Sequence, residues 1–244
     1  MTQIGDGLTD GLERVLAVMA HPDDVDFGCG GTMATWAAAG VQITYCIVTN
    51  GDAGGSDLDL PRSEMARIRQ EEQRAAAAAV GVTDVRYLGY PDGRLYVTHE
   101  LRRDISRVIR QVRPQRVVGQ SPERNWERVY GSHPDHMAAG EATFAAVYPD
   151  SRNPFAHPEL LNDEGLEPWS VPETWIAHGP NSDYYVDITD HFNTKVKALQ
   201  AHASQTSHMD DLEGMLRTWA GANALAAGAA DGRLAEAYRV VNSA

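Results

Sequence analysis

RVLAVMAHPDD, residues 14–24, decides the fold of this 244-residue chain. An apolar run of strand length stops at a histidine, a proline and two adjacent aspartates. The same punctuation recurs through the first half. QITYCIVT (42–49), VRYLGY (85–90) and RVVGQ (116–120) read as short buried strands bounded by polar or glycine-rich turns. Helical spacing lies between them. Met65, Ile68, Ala75, Ala76 and Ala79 share one face of 62–80, and Leu101, Ile105, Val108, Ile109 and Val112 share one face of 99–112, where Thr98 is placed to cap. Strands alternating with helices imply an α/β fold, a mainly parallel sheet with helices on both faces. Ligands of such sheets bind beyond the carboxyl ends of the strands. AHPDD, TNGDAGG and YPDG end the first three runs and GQSPERNW follows the fourth, so four polar loops are expected on one rim.

The composition suits one domain over 1–244: 43% hydrophobic and 23% charged residues. A net charge of −13, from 21 basic and 34 acidic residues, argues against a nucleic-acid partner or an anionic membrane surface. No run approaches the roughly 18 apolar residues of a membrane span. The opening MTQIGDGLTDGLER lacks the basic and apolar regions of a leader, and only Cys29 and Cys46 are present, so a reducing cytoplasm is expected. The segment 151–173 is irregular and proline-rich, which suits a lid or a contact in a homo-oligomer. ETWIAHG (173–179) and YYVDIT (184–189) read as further strands. Helices are expected over 191–203, with Phe192, Val196, Leu199 and Ala203 on one face, and over 209–228, making 190–244 a C-terminal helical part.

Two HPD segments carry the chemistry. His21 and Asp24 are three apart on a loop that Pro22 keeps from being helical, and His133 and His136 repeat that spacing where Pro134 opens a helix with Met137, Gly140, Phe144 and Val147 on its apolar face. A divalent cation such as zinc takes imidazole and carboxylate ligands, and a catalytic site keeps a position for water. One of the two histidines completes the set and the other stays free; beside Asp135 a free imidazole is expected to be protonated, able to stabilise an oxyanion. Asp23, next to the ligands, is placed as a general base, and a bound dication relieves the repulsion between Asp23 and Asp24. His-Pro-Asp also marks the J-domain, but that helical hairpin does not fit an α/β pattern. His157-Pro158-Glu159 lacks a second acid and reads as a structural turn. Gly28, Gly30 and Gly31 form no phosphate-binding motif and read as close packing.

These motifs resemble the PIG-L/LmbE-like family of zinc-dependent N-deacetylases, which act on N-acetylglucosamine-type sugars. The likeness rests on AHPDDVDFGCGGT (20–32), CIVTNGDAGG (46–55), RQEEQRAAAAAVGV (69–82) with YLGYPDG (87–93), SHPDHMAAGEA (132–142) and VDITDHFNTKVKALQAHASQ (186–205). It implies a Rossmann-like fold with zinc at the carboxyl rim, held by His21, Asp24 and His136, and Asp23 as general base. His133 would stabilise the oxyanion, tuned by Asp135, while Arg69, in R-x-x-E with Glu72, and Asp92 would contact substrate. Val25 stands where many members have an acid. The implied reaction removes the acetyl group from an acetylated amino sugar or sugar conjugate. An amidase acting on a larger sugar–thiol conjugate and a non-catalytic metal-binding protein are the alternatives. Iron(II) or cobalt(II) would suit the same ligands. His178, His191 and His202 carry no assigned role, though His202, in AHASQ, is expected near the site.

Overall fold

The computed structural model describes residues 3–5, 7, 9–55, 57–127, 129–177 and 179–244. Its centre is β2 (Arg14–Met19), whose neighbours are β3 (Gln42–Thr49) and β5 (Arg116–Gln120), both parallel to it. Val15, Ala17 and Met19 enter one apolar core; Leu16, Val18 and Ala20 enter the other. A strand buried on both faces has no polar alternation to keep, which is why the run is continuously apolar. Beyond β3 lies β4 (Asp84–Tyr90) and beyond β5 lies β6 (Glu173–Ala177), again parallel.

The chain runs outward from β2 through β3 to β4, then returns to the other side of β2 for β5 and β6. Strand order therefore reverses between β2 and β5. Loops leaving these two strands diverge, and the crevice between them is where such sheets bind ligands. The helices α1 (Asp24–Ala38) and α2 (Arg62–Ala79) pack with α6 (Phe192–Ala201), while α3 (His99–Val112) and α4 (Pro134–Val147) pack together. Thr98 caps α3 by accepting from the Leu101 amide. The buried face of α4 includes Ala139, Gly140, Ala142, Thr143, Ala146 and Val147; Met137 and Phe144, expected on it, are only half-buried. A Cβ on Gly140 would lie 2.4 Å from the Gln120 carbonyl oxygen, so the helix rests directly on the end of β5.

The C-terminal part is not wholly helical. After β7 (Tyr184–Asp187), α7 (Ala203–Thr206) and α8 (Leu212–Ala226), the chain ends in β8 (Ala235–Asn242), antiparallel between β6 and β7. β1 (Gln3–Gly5) adds a parallel edge to β7. In β8, Glu236 is 3% exposed and accepts from the Gly31 and Thr32 amides and from Lys195 Nζ. That buried pair joins α1, α6 and β8, and a Cβ on Gly31 would lie 2.7 Å from Ile188 Cβ. Close packing is what Gly31 serves, and Gly30 lies against Lys195, whose Cγ would be 3.3 Å from a Cβ there.

Residues 151–173, with α5 (Pro158–Asn162), form a strap on α3 rather than a lid over the rim. The buried guanidinium of Arg110 donates to the carbonyls of Asp150, Ser151, Asn153 and Ala156. From there the chain reaches the start of β6, at the opposite end of the sheet from the HPD loops. His157 is buried in this strap against Asp150, the structural role expected of it. Cys29 and Cys46 are buried free thiols. Among the described residues no helix is long and apolar enough to cross a membrane.

Candidate active site

The two HPD loops leave β2 and β5 on either side of the crevice and meet above it. Beyond β2, the Ala20 amide donates to Gln120 Oε1 at 2.9 Å, tying the two strand ends together. Asp24 opens α1, where a carboxylate complements the helix N-terminus, and accepts the His21 amide at 2.7 Å. Opposite, His133 caps α4 through Nδ1, which accepts the Asp135 amide at 3.2 Å. His136 follows within the first turn. His21 Nδ1 is 3.3 Å from Asp24 Oδ2, His136 Nε2 is 3.1 Å from Asp24 Oδ1, and the two imidazole nitrogens are 3.2 Å apart. The His133 ring centroid lies 5.0 Å from that of His21 and 5.3 Å from that of His136. Residues 21, 24, 133 and 136 are therefore brought together.

Carboxylates fix the state of His21. Its Nε2 faces Asp92 Oδ1 at 3.1 Å and Asp135 Oδ2 at 3.3 Å. Ionised carboxylates only accept, so both ring nitrogens donate here, Nε2 to Asp92 and Asp135 and Nδ1 to Asp24; a cation at Nδ1 would displace only the second proton. Burial alone would lower the His21 pKa, but hydrogen bonds to Asp135, Asp24 and Asp92 carry it up to about 12. His136 is likewise raised despite burial, by Asp24. Asp24 sits well below the usual carboxylate range, its burial outweighed by the two imidazoles. The cluster thus calls for positive charge among its three donors. Zinc ligands at about 2.0–2.2 Å in a tetrahedron lie about 3.4 Å apart, so the donor set and its spacing fit a divalent cation.

Asp135, Asp92 and Arg69 are each engaged by partners within the protein. The Asp135 carboxylate does not charge His133: it accepts from His21 and from the Gly93 and Leu95 amides at 2.7 and 3.2 Å. His133 is instead shifted down, first by burial and then by its imidazole neighbours, so it is a neutral ring with its proton on Nε2. Asp92 is 7% exposed and turned inward, bonded to His21 and the Ala53 amide. Arg69 is 4% exposed and donates to the Pro22 and Gly51 carbonyls and to Asp23 Oδ2 at 3.2 Å. Both groups build the site from beneath. Glu72 is not a partner of Arg69; it accepts from the amide and hydroxyl of Ser204.

Asp23 precedes α1 at φ 85°, a left-handed backbone that costs a residue with a side chain about 1–2 kcal/mol. Its carboxyl remains partly exposed beside the cluster. Burial pushes its pKa up to about 6, against the pull of the Arg69 charge.

Sequence reasoning missed Gln73, which reads as a surface glutamine in RQEEQ yet is fully buried beneath Asp23. His202 comes near, but as a buried partner of Asp26 at 2.8 Å and not as a lining residue. His191 lines a separate cleft of about 610 Å³ with Ile4, Asp187 and Arg233. His178 and the Tyr130 side chain lie outside the described residues. Trp175 is core, Trp169 packs under Arg113, and Trp126 stands exposed on the loop after β5.

The chain matches the family model for PIG-L, GlcNAc-PI de-N-acetylase, over residues 16–147, a stretch that holds both HPD loops. It is 34% identical over 196 residues to a diacetylchitobiose deacetylase of Thermococcus kodakarensis, covering 80% of this chain and 70% of that one. It is 30% identical over 238 residues to a 1D-myo-inositol 2-acetamido-2-deoxy-alpha-D-glucopyranoside deacetylase of Actinosynnema mirum, covering 81% and 82%. The solved structure of N,N'-diacetylchitobiose deacetylase from Pyrococcus horikoshii, in complex with an inhibitor, superposes with a TM-score of 0.88 at 31% identity, over 96% of this chain and 85% of that one. The family model covers more than half of the chain, and the relatives and the superposed backbone agree with it and with a Rossmann-like sheet: this chain belongs to the PIG-L family of de-N-acetylases.

Proposed function

We propose that this protein is a zinc-dependent N-deacetylase that hydrolyses the acetamide of a small N-acetylglucosamine-type sugar or sugar conjugate. The observation that carries the proposal is the meeting of His21 Nδ1, Asp24 and His136 Nε2 within 3.1–3.3 Å of one another, with the Asp23 carboxyl alongside. These three residues would hold the metal, while Asp92 and Asp135 keep His21 in the tautomer that binds it. A bound zinc ion supplies a Lewis acid and lowers the pKa of a water to about 7.

Asp23 would take the proton from the attacking water as the water oxygen forms the new bond to the acetyl carbon. Burial makes the Asp23 carboxylate a stronger base than an exposed aspartate, which suits this task. His133 donates its Nε2 proton in a hydrogen bond to the former carbonyl oxygen as negative charge develops there. Asp23 then returns its proton to the amide nitrogen, the carbon–nitrogen bond breaks, and acetate and a free amine leave. Arg69 keeps the Asp23 carboxylate aimed throughout.

The test is acetate release from a panel of acetylated amino sugars by the metal-loaded chain, with and without a chelator. Activity is expected to vanish on chelation and return with zinc. Acetate release indifferent to metal removal would sink the proposal.

A further inference from the structure

The strained backbone of Asp23 is held by a chain of buried side chains that no catalytic step uses. The Asp23 amide donates to Gln73 Oε1 at 2.8 Å. Gln73 Nε2 donates to Asp26 Oδ2 at 2.8 Å, and His202 Nε2 meets the same oxygen at 2.8 Å. Gln73, Asp26 and His202 are all 0% exposed. Chemistry fixes the direction of this chain. Reversing the Gln73 amide would set its NH₂ against the Asp23 N–H and its oxygen against the Asp26 carboxylate, so only one orientation survives. Asp26 is in turn fixed by His202, at the joint between α6 and α7.

The attachment point is informative. A brace serving only to pack α1, α2 and α6 could end on any group; this one ends on the amide of the residue with φ 85°. Arg69, one turn before Gln73 on α2, holds the same residue by its carboxylate and the preceding Pro22 carbonyl. Two side chains at i and i+4 of one helix thus grip the amide and the carboxyl of Asp23. Without the Gln73 acceptor, only Arg69 and the first turn of α1, whose Asp26 and Phe27 amides donate to the Asp23 carbonyl, oppose the preference of a residue with a Cβ for negative φ. Relaxation there would swing the carboxyl away from the cluster while the neighbouring His21 and Asp24 keep their partners.

We infer that Gln73, Asp26 and His202 form a positioning brace that holds Asp23 in its left-handed conformation for proton transfer. The inference rests on the reading of Asp23 as the base. It is tested on the zinc-loaded full chain by kcat, KM, bound zinc and melting temperature for Gln73→Met, Asp26→Asn, Asp26→Val and Asp23→Asn.

Gln73→Met is expected to lower kcat about 10- to 100-fold, the scale of an ångström-sized misplacement, with bound zinc unchanged. KM stays within about twofold, since the loss lies in the chemical step and not in binding. The side-chain amide introduced by Asp26→Asn retains an oxygen that can accept from both Gln73 and His202. That variant therefore stays close to wild type, while Asp26→Val falls like Gln73→Met. Wild-type kcat in folded, zinc-loaded Gln73→Met overturns the brace, as does a fall explained by lost zinc or an Asp26→Asn as poor as Asp26→Val. If Gln73→Met does not fold, Gln73→Asn, which carries the same amide on a shorter arm unable to span both partners, answers the same question. Asp23→Asn separates the two levels: wild-type turnover there removes the base itself, whereas its loss together with an unaffected Gln73→Met removes only the brace.

Discussion

Asp92 Oδ1 lies 3.1 Å from His21 Nε2, on the edge of the ring opposite the nitrogen that faces Asp24 and His136. Asp92 therefore touches no proposed ligand position yet sets how well His21 fills one. Partners of this kind typically contribute about 10- to 100-fold in metal affinity. Asp92→Asn is expected to weaken zinc binding on that scale, read by competition with a chromophoric chelator. Wild-type affinity in this variant would mean that Asp135 alone orients the ring.

The two histidines of the second loop have different expected signatures. His136 Nε2 faces Asp24 at 3.1 Å, so His136→Ala removes a ligand and its metal. His133 points into the site from the helix cap, so His133→Ala keeps zinc and loses about 10²- to 10³-fold in kcat, the scale of one oxyanion donor. Asp23→Asn also keeps zinc, with a loss of about 10²- to 10⁴-fold for its proton-transfer role. Zinc per chain and kcat, measured on one set of preparations, decide these assignments. Equal zinc content in His133→Ala and His136→Ala would reverse or erase the assignment of the ligand.

The base has a pH signature whose sign follows from its neighbours. Asp23 works as a carboxylate, so activity rises with pH through its pKa and is lost below it. Burial pushes that pKa up, and the Arg69 guanidinium 3.2 Å away draws it down. Removing the positive charge in Arg69→Met disfavours the carboxylate, so the acid limb of kcat/KM is expected to move to higher pH. A bound dication acts in the same direction as Arg69, so both profiles belong to the zinc-loaded state. A limb that stays in place, or moves to lower pH, would show that another group controls it.

The sequence was legible where local pattern and tertiary demand coincide. Strands such as β2, buried on both faces, announce themselves as apolar runs, and the two His-Pro-Asp segments mark the loops that meet at the crevice. It was illegible where a residue's meaning comes from a distant partner. Glu236 is a charge in the middle of a strand and makes sense only beside Lys195, 41 residues away, which hid β8 within a segment expected to be helical. Asp135 sits next to His133 in sequence, yet its carboxylate turns to His21, 114 residues away. Arg69 and Asp92 carry charges that propensity assigns to a wet surface, whereas the crevice buries both beneath the ligands. Gln73 gave no signal, because nothing in a helix of charged residues distinguishes the one that faces Asp23.

Gly140 links packing to the site. A Cβ there would press on the Gln120 carbonyl at 2.4 Å, and backbone cannot swing aside as a side chain can. Gly140→Ala must lift α4 from β5, and α4 carries His136. Overpacking of this kind costs about 1–3 kcal/mol. For a chain of this size that is a fall of about 2–10 °C in Tm. The same shift is expected to weaken zinc binding, whereas Gly221→Ala, inside α8 with no atom within 4 Å of its Cβ, leaves zinc binding unchanged and raises Tm slightly through the better helix propensity. Unaltered Tm in Gly140→Ala would show that the contact relaxes freely.

Asp150 gives a pH dependence of stability far from the catalytic residues. Its carboxylate, 2% exposed, takes both Arg102 nitrogens at 2.7 and 2.9 Å and His157 Nε2 at 3.2 Å. Burial would raise its pKa, but the Arg102 and His157 hydrogen bonds more than offset this and hold it below the usual value. The folded state therefore releases this proton more readily than the unfolded chain, whose aspartates titrate near about 3.9. Stability from Asp150 is complete above that unfolded value and is lost as pH falls through the folded one. Asp150→Asn is expected to cost about 1.5–3 kcal/mol at neutral pH, the scale of hydrogen bonds to a charged group. The gap between the two proteins then narrows on acidification toward about pH 3, because the wild-type carboxylate is being neutralised as well. His157, held down chiefly by burial and drawn up by Asp150, titrates differently in the two proteins, so the pair is compared in a His157→Gln background by the difference in urea midpoint. A gap that stays constant from neutral to acid would mean that the strap draws nothing from the charge on Asp150.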